Sequence, residues 1–333
     1  MTTMHDVARR AGVSIATVSR VVNGTHFVSN SVRERVMRAI DELGYSPNAL
    51  ARSLRKGRTN TLGLVLPDSA NPFFAEIGRS VELSAYSLGY NVILCNTHGD
   101  VEKERHYIQL LTEKQVDGVI LDTAERHLEY LVAHVLQNLP LVMIDRDFRG
   151  NDFDIVLSDN VQGAKLATQH LVSSGHERIA CITGPPDLLS SIDRLDGYRQ
   201  ILEASTRVDD SLIKCGDFRP DSGRQAFFEL MKLPCPPTAV FACNDMMAIG
   251  ALRAAAEMDM RVPEDISVVG FDDIELCRYT TPTLTSVSQS KEQIGEIAVR
   301  RLLEIINGDA KLGQRVLVTT QLIIRGSSNA NPD

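Results

Sequence analysis

Between Thr61 and Asp273 the chain carries eight short apolar runs, TLGLVLPD, NVILCNT, GVILDT, PLVMIDR, RIACITGP, IKCGDF, AVFACND and ISVVGFDD, separated by amphipathic stretches of helical length. Runs this short and this uniformly apolar, alternating with helices, are strands buried on both faces, which means parallel sheet covered by helices on either side. The cycle restarts after about Ser158, so the pattern predicts two similar α/β lobes, and 333 residues suffice to bury both cores. Ligands of such sheets bind outside the carboxyl ends of the strands. The polar residues gather at those ends: Asp122, Asp145 with Arg146, Asn244 with Asp245, and Asp272 with Asp273. One acid after a buried strand is an ordinary helix cap, but its recurrence at the same end of successive strands marks a candidate binding cleft.

The segment before these lobes follows another rule. Met4 to Asn23, MHDVARRAGVSIATVSRVVN, has the spacing of two short helices joined by a tight turn at Gly12. Val7 and Ala8 form one apolar stripe, and Ala16, Val18, Val21 and Val22 the next, with Ser14 placed to cap the second helix. That helix presents Ile15, Ala16, Thr17 and, one turn on, Arg20 away from its own core, where a helix-turn-helix meets base edges in the major groove. A third helix from about Ser31 to Leu43, with Val32, Val36, Ile40 and Leu43 on one stripe, closes a small core, and Gly44 ends it. Pro47 then opens a segment, Asn48 to Leu54, long enough for one or two helical turns and too short to be stable alone. It is either a linker or a hinge that orders only on DNA.

Charge supports the nucleic-acid reading. Residues 1–60 hold ten Arg or Lys against four acids, a balance of +6; the whole chain is −8, so the remainder carries −14. A basic head on an acidic body is the footprint of a DNA-binding domain fused to something else. No apolar run has transmembrane length and no secretory leader is seen, so a cytoplasmic protein without membrane contact is expected. Cys95, Cys181, Cys215, Cys235, Cys243 and Cys277 are scattered without C-x-x-C spacing and read as reduced thiols, mostly buried. There is no G-x-S-x-G elbow, P-loop, H-E-x-x-H or dinucleotide glycine motif, so neither catalytic residues, metal ligands nor a cofactor are expected, and His170 and His176 read as ordinary helix and turn residues.

From Met4 to about Gly326 the chain resembles the LacI/GalR family of transcription regulators, whose signatures stand here as HDVARRAGVSIATVSRVVNG, GYSPNALARSL, NPFF and VVGFDD. The resemblance implies a small all-α helix-turn-helix head plus a two-lobed, periplasmic-binding-protein-like body of parallel sheets flanked by helices. It divides the chain into a head, 1–46; a hinge helix and linker, 47–60; an N-terminal lobe, 61–160 with 291–320; and a C-terminal lobe, 161–290 with 321–330. On DNA it implies base reading by Ile15, Ala16 and Arg20, backbone or capping roles for Ser14, Thr17 and Ser19, further contacts from Asn23, Asn48 and Ala51, and a wedge at Leu54 that pries open the central minor groove. A wedge of that kind needs two copies at the operator centre, so a homodimer on a palindrome is implied. The tail after Arg325, GSSNANPD, has no leucine heptads, so a coiled-coil tetramer is not expected.

Within the family, FVSNSVRERV, LCNTHGDVEKE, RIACITGP, GDF and FDDIELCRYTTPTLTSV resemble the ribose-operon repressors most and the purine repressor in part. Similarity to ribose-binding proteins implies that Asn71, Phe73, Phe74, Asp145, Arg146, Arg194, Phe218, Asn244, Asp272 and Gln289 surround a D-ribose-like effector, with Asp122 standing where those proteins have an amide. A pentose offers apolar C–H faces to aromatic rings and hydroxyls to Asp, Asn and Arg. A purine base is the alternative effector. Arg146 stands where the purine repressor has tryptophan, and the chain has no Trp. A sugar-binding protein without DNA function is a further alternative, opposed by the basic head. Inducer and corepressor can use one pocket, so the sign of the response stays open.

Overall fold

The computed structural model describes residues 2–23, 27–45, 58–123, 139–146, 153–205, 208–309 and 313–328. Two compact units are present, 1–60 and 61–333.

Among its described residues the first unit holds three helices: α1 (Met4–Ala11), α2 (Ile15–Asn23) and α3 (Asn30–Leu43). Thr3 and Asp6 close a reciprocal capping box on α1, and Gly12 ends it in the left-handed conformation at φ 64°, which glycine adopts at no steric cost. The turn therefore comes where the sequence placed it. Ser14 then caps α2, its Oγ accepting from the Thr17 amide at 3.1 Å. Val7, Ala8, Ala11, Val18, Val21, Val36 and Ala39 form the core, with Val13, Val22, Val32, Ile40 and Leu43 packed at its edge. One expectation needs correction: Ala16 is exposed rather than part of the apolar stripe, because the stripe of α2 runs through Val18 and Val21. Across the unit, an Arg10–Glu42 ion pair of 2.6 Å joins α1 to α3.

The second unit contains two six-stranded sheets. Its strands are β1 (Thr61–Leu66), β2 (Asn91–Asn96), β3 (Gly118–Leu121), β4 (Leu141–Ile144), β5 (Asp154–Ser158), β6 (Ile179–Thr183), β7 (Ile213–Cys215), β8 (Ala239–Ala242), β9 (Ser267–Asp272), β10 (Thr285–Ser288), β11 (Arg315–Val318) and β12 (Gln321–Ile323). Its α-helices among the described residues are α4 (Pro72–Ser87), α5 (Val101–Glu113), α6 (Asn160–Ser173), α7 (Leu189–Ser205), α8 (Pro220–Met231), α9 (Asp245–Glu257) and α10 (Lys291–Asn307). One sheet has the order β11-β5-β4-β3-β1-β2 and the other β12-β10-β9-β8-β6-β7; every pairing is parallel except β10 with β12. The chain passes between sheets three times: after β5, after β10 and after β11.

Alternate residues of β1 show why these runs are apolar throughout. Leu62, Leu64 and Leu66 enter the large core, while Val65 enters a second cluster with Ile108 and Leu111 of α5. Both faces are covered, as parallel sheet requires. Gly63 lies where a Cβ would come within 2.7 Å of the Leu111 side chain, so glycine permits this helix to approach. All six cysteines are free thiols; Cys95, Cys181, Cys243 and Cys277 are buried and Cys215 and Cys235 exposed. Among the described residues no helix is long and apolar enough to cross a membrane.

Candidate functional site

In the head, α2 exposes Ile15, Ala16 and Arg20 on one side, while Thr17 and Ser19 are half-buried. Ser14 is exposed and tied to Thr17 both by the cap and by a 2.9 Å hydroxyl contact, so the start of α2 is held in a defined shape. Asn23 is the last residue of α2. Asn48, Ala51 and Leu54 lie outside the described residues.

In the body, the sequence-derived residues cluster at the carboxyl ends of strands. Asp122 directly follows β3, Asp145 and Arg146 follow β4, Phe218 comes just after β7, Asn244 just after β8, Asp272 ends β9 and Gln289 directly follows β10. Asn71 caps α4, accepting from the Phe73 amide at 3.1 Å. Phe73 is a core residue, and Phe74 packs half-buried against it with ring centroids 5.1 Å apart in an edge-to-face arrangement.

Two arginines organise these groups. Arg194, on α7, is buried, with its guanidinium 3.9 Å above the Phe271 ring. Its Nε donates to Asn160 Oδ1 at 2.8 Å, and one terminal nitrogen donates to the Cys243 carbonyl at 2.5 Å while lying 3.6 Å from Asp272 Oδ1. Gln289 donates to that same Asp272 oxygen. Arg146 donates from Nε to Asp122 Oδ1 at 3.0 Å. The two groups face one another electrostatically, because Asp145 on the first sheet feels both Arg194 of the second and its neighbour Arg146. Asn244 is already committed: Oδ1 caps α9 at the Met247 amide, 2.9 Å, and Nδ2 donates to the Phe218 carbonyl at 3.1 Å.

Burial dominates the acid–base behaviour. It pushes the Asp122 carboxyl up to about 8, with Arg146 pulling down and Asp145 and Glu104 adding repulsion. It likewise pushes Asp272 up to about 8 against the pull of Arg194 and Lys291. Asp145 is raised for the same reason. Acids of this kind bind their proton more tightly in the folded chain than in the unfolded one. The stability they contribute is therefore complete below the ordinary carboxylate range and is lost as pH rises through about 8. His170 and His176, held low by burial, act in the opposite sense, but only below about pH 6.5. The unfolding temperature of the unliganded protein should accordingly fall from pH 7 to pH 8.5, and Asp122→Asn should flatten that slope; superimposable parent and variant profiles would exclude Asp122 as the cause.

Among the described residues the buried side-chain atoms without a hydrogen-bond partner are Asp122 Oδ2, Ser158 Oγ, Ser191 Oγ, Gln289 Oε1 and Arg199 Nε. Asp122, Ser158 and Gln289 stand at strand ends of the cleft, and Ser191 Oγ crowds Gly184 together with the Phe218 ring. Buried polar atoms are normally paired, so a concentration of orphaned oxygens here, two of them hydroxyls that both donate and accept, suits a ligand rich in hydroxyl groups. Asp145 (φ 59°), Phe218 (φ 65°) and Asp272 (φ 118°) also adopt positive φ, a conformation that persists in non-glycine residues only where the surroundings enforce it. Sequence reasoning missed Ser158, Asn160, Ser191 and Lys291. For Asn160 the signal existed, since LSDN repeats the pattern of polar residues after a buried run, but β5 went unrecognised because it opens with Asp154.

A DNA-reading helix hairpin joined to a cleft between two parallel-sheet lobes defines a ligand-responsive DNA-binding regulator. Residues 3–48 match the model for bacterial regulatory proteins of the lacI family, and residues 168–328 match the periplasmic binding protein-like domain. The ribose operon repressor of Escherichia coli (strain K12) is 41% identical over 330 residues, covering 98% of this chain and 100% of that protein. The HTH-type transcriptional repressor PurR of Edwardsiella ictaluri is 42% identical over 337 residues, covering 100% and 98%. A structure of the lac repressor dimer bound to operator and the anti-inducer ONPF superimposes with a TM-score of 0.90 at 31% identity, covering 98% of this chain and 99% of that one. The chain belongs to the lacI family of bacterial regulatory proteins and is a transcriptional repressor of that family.

Proposed function

We propose that the protein is a cytoplasmic homodimer that represses transcription from a palindromic operator and whose operator affinity is set by D-ribose or a close pentose bound in the cleft. The head, residues 1–46, reads the major groove through Ile15, Ala16 and Arg20, with Ser14, Thr17, Ser19 and Asn23 at its edge. Arg20 is the long donor of this set and suits guanine. Residues 47–60, with Asn48, Ala51 and the wedge Leu54, form the hinge. The lobes are 61–160 with 291–320 and 161–290 with 321–330, and their task is binding rather than catalysis.

The observation that carries the pentose reading is the crowd of polar groups at the strand ends: Asp122, Asp145 and Asp272, with orphaned oxygens on Asp122 and Gln289, around two arginines that each lie beside an acid. A pentose brings a hydroxyl, donor and acceptor at once, on nearly every carbon, which suits both the arginine donors and carboxyls raised to about 8. Phe74 and Phe218 offer faces to the sugar's C–H bonds. The relatives named PurR favour a second reading, a purine base stacked on the same aromatics. Calorimetry with D-ribose, other pentoses, hexoses, hypoxanthine and guanine separates the two. Binding of D-ribose with no purine response is expected; purine binding with no pentose response would replace the first reading by the second and leave the repressor assignment intact.

A further inference from the structure

Lys291 opens α10, and its ammonium is buried against three acceptors: the carbonyls of Asp272 at 2.5 Å and Asp273 at 2.7 Å, and Glu76 Oε2 at 3.2 Å. An ammonium has three donors, so the group is saturated. The two carbonyls belong to consecutive residues with φ of 118° and 51°, a backbone shape that side chains with a Cβ avoid unless something outside the turn enforces it. The same turn presents the Asp272 carboxylate to Arg194 and Gln289, and Asp273 to Arg325 at 2.6 Å.

Glu76 lies on α4, which packs on β1 and β2 of the first sheet, whereas Asp272 ends β9 of the second. Its other oxygen accepts from the Glu275 amide at 2.9 Å. One carboxylate thus grips the end of β9 both directly and through Lys291. Beside it, Ser80 Oγ donates to the Glu292 carbonyl at 2.7 Å, and Gly295 of α10 comes so near α4 that a Cβ would lie 2.4 Å from Ser80 Oγ and 2.9 Å from the Val81 nitrogen.

We infer that Lys291 is a positioning residue of the effector cleft: it holds the Asp272–Asp273 turn in the shape that presents the Asp272 carboxylate, and through Glu76 it ties that turn to helix α4 of the opposite lobe. The allosteric half of this inference rests on the effector reading above. A ligand that engages Asp272 then biases the contact between lobes, which is the differential interaction that a change in DNA affinity requires.

The test uses full-length protein carrying Lys291→Met or Glu76→Gln. In crystal structures without ligand, Lys291→Met should return Asp272 and Asp273 to negative φ while the parent keeps both positive; a variant that keeps both positive overturns the inference. This arm needs no effector, so it decides even if the parent fails to bind D-ribose, a result that would count against the effector reading alone. In calorimetry with D-ribose, Lys291→Met should lose about 30-fold in affinity, because the Asp272 carboxyl is no longer held in its binding position. Glu76→Gln keeps an oxygen for the Glu275 amide and loses only the charge. It should bind D-ribose within about threefold of the parent while its operator affinity responds at least about fivefold less to the sugar, the scale of ordinary allosteric coupling. An unchanged response in Glu76→Gln would overturn the link between lobes, and that variant carries the test if Lys291→Met does not fold.

Discussion

Arg194→Met should lower D-ribose affinity by about 100-fold, because it removes the donor from two buried acceptors, at about 1–3 kcal/mol each, and the cation beside Asp272. Methionine fills much of the same volume and can still lie on the Phe271 ring, so the loss reports donors rather than packing. Asn160 Oδ1 and the Cys243 carbonyl lose their donor, and Asp272 loses its cation at 3.6 Å. Isothermal calorimetry beside a melting curve checks this: affinity within threefold of the parent would remove Arg194 from the site.

The second large effect concerns stability. Asp154 at the start of β5 is buried and accepts from Arg301 Nε of α10 at 2.6 Å, and it also receives the Gly313 and Gln314 amides at 3.3 Å. Arg301 is itself buried, with Glu304 as a further partner at 2.9 Å. Asp154→Ala leaves that guanidinium under-compensated inside the lobe and should cost about 3–5 kcal/mol in unfolding free energy. Denaturant titration followed by circular dichroism would show it, and a midpoint equal to the parent's would mean that the pair adds nothing net. This ion pair fastens α10 and the approach to β11 onto the first sheet, so the loss should fall on that lobe.

Both predictions turn on contacts between residues distant in sequence, and there the two levels of description part. The helix hairpin is local: the 3.6-residue spacing of Val7, Ala8 and Ala11, the left-handed glycine at Gly12 and the Ser14 cap act within a few residues, so the chain itself determines the turn and the exposed start of α2. The strands with uniformly apolar runs were equally legible, since only two-sided burial makes such runs favourable, and the polar residues after them showed which end would carry a ligand. In sequence Ala16 belongs to both the apolar stripe and the outward face, because a small apolar residue fits either, and the outward face is the one observed.

Other features were invisible before folding. In β5, β10, β11 and β12, polar or short segments interrupt the apolar pattern, and they become strands because a neighbour in the sheet completes their hydrogen bonds: Arg315–Val318 pairs with β5, and Gln321–Ile323 runs antiparallel to β10. Lys291 carries no signal in the sequence, yet it is buried once α10 crosses back to the first sheet and meets carbonyls nineteen and eighteen residues upstream. The chain alone determined which chemical groups stand at the strand ends, because those depend on local pattern. Their pairing, Asp122 with Arg146 and Asp272 with Arg194, and the burial that raises both acids were decided by tertiary structure, because desolvation and charge contact depend on which segments the three crossovers bring together.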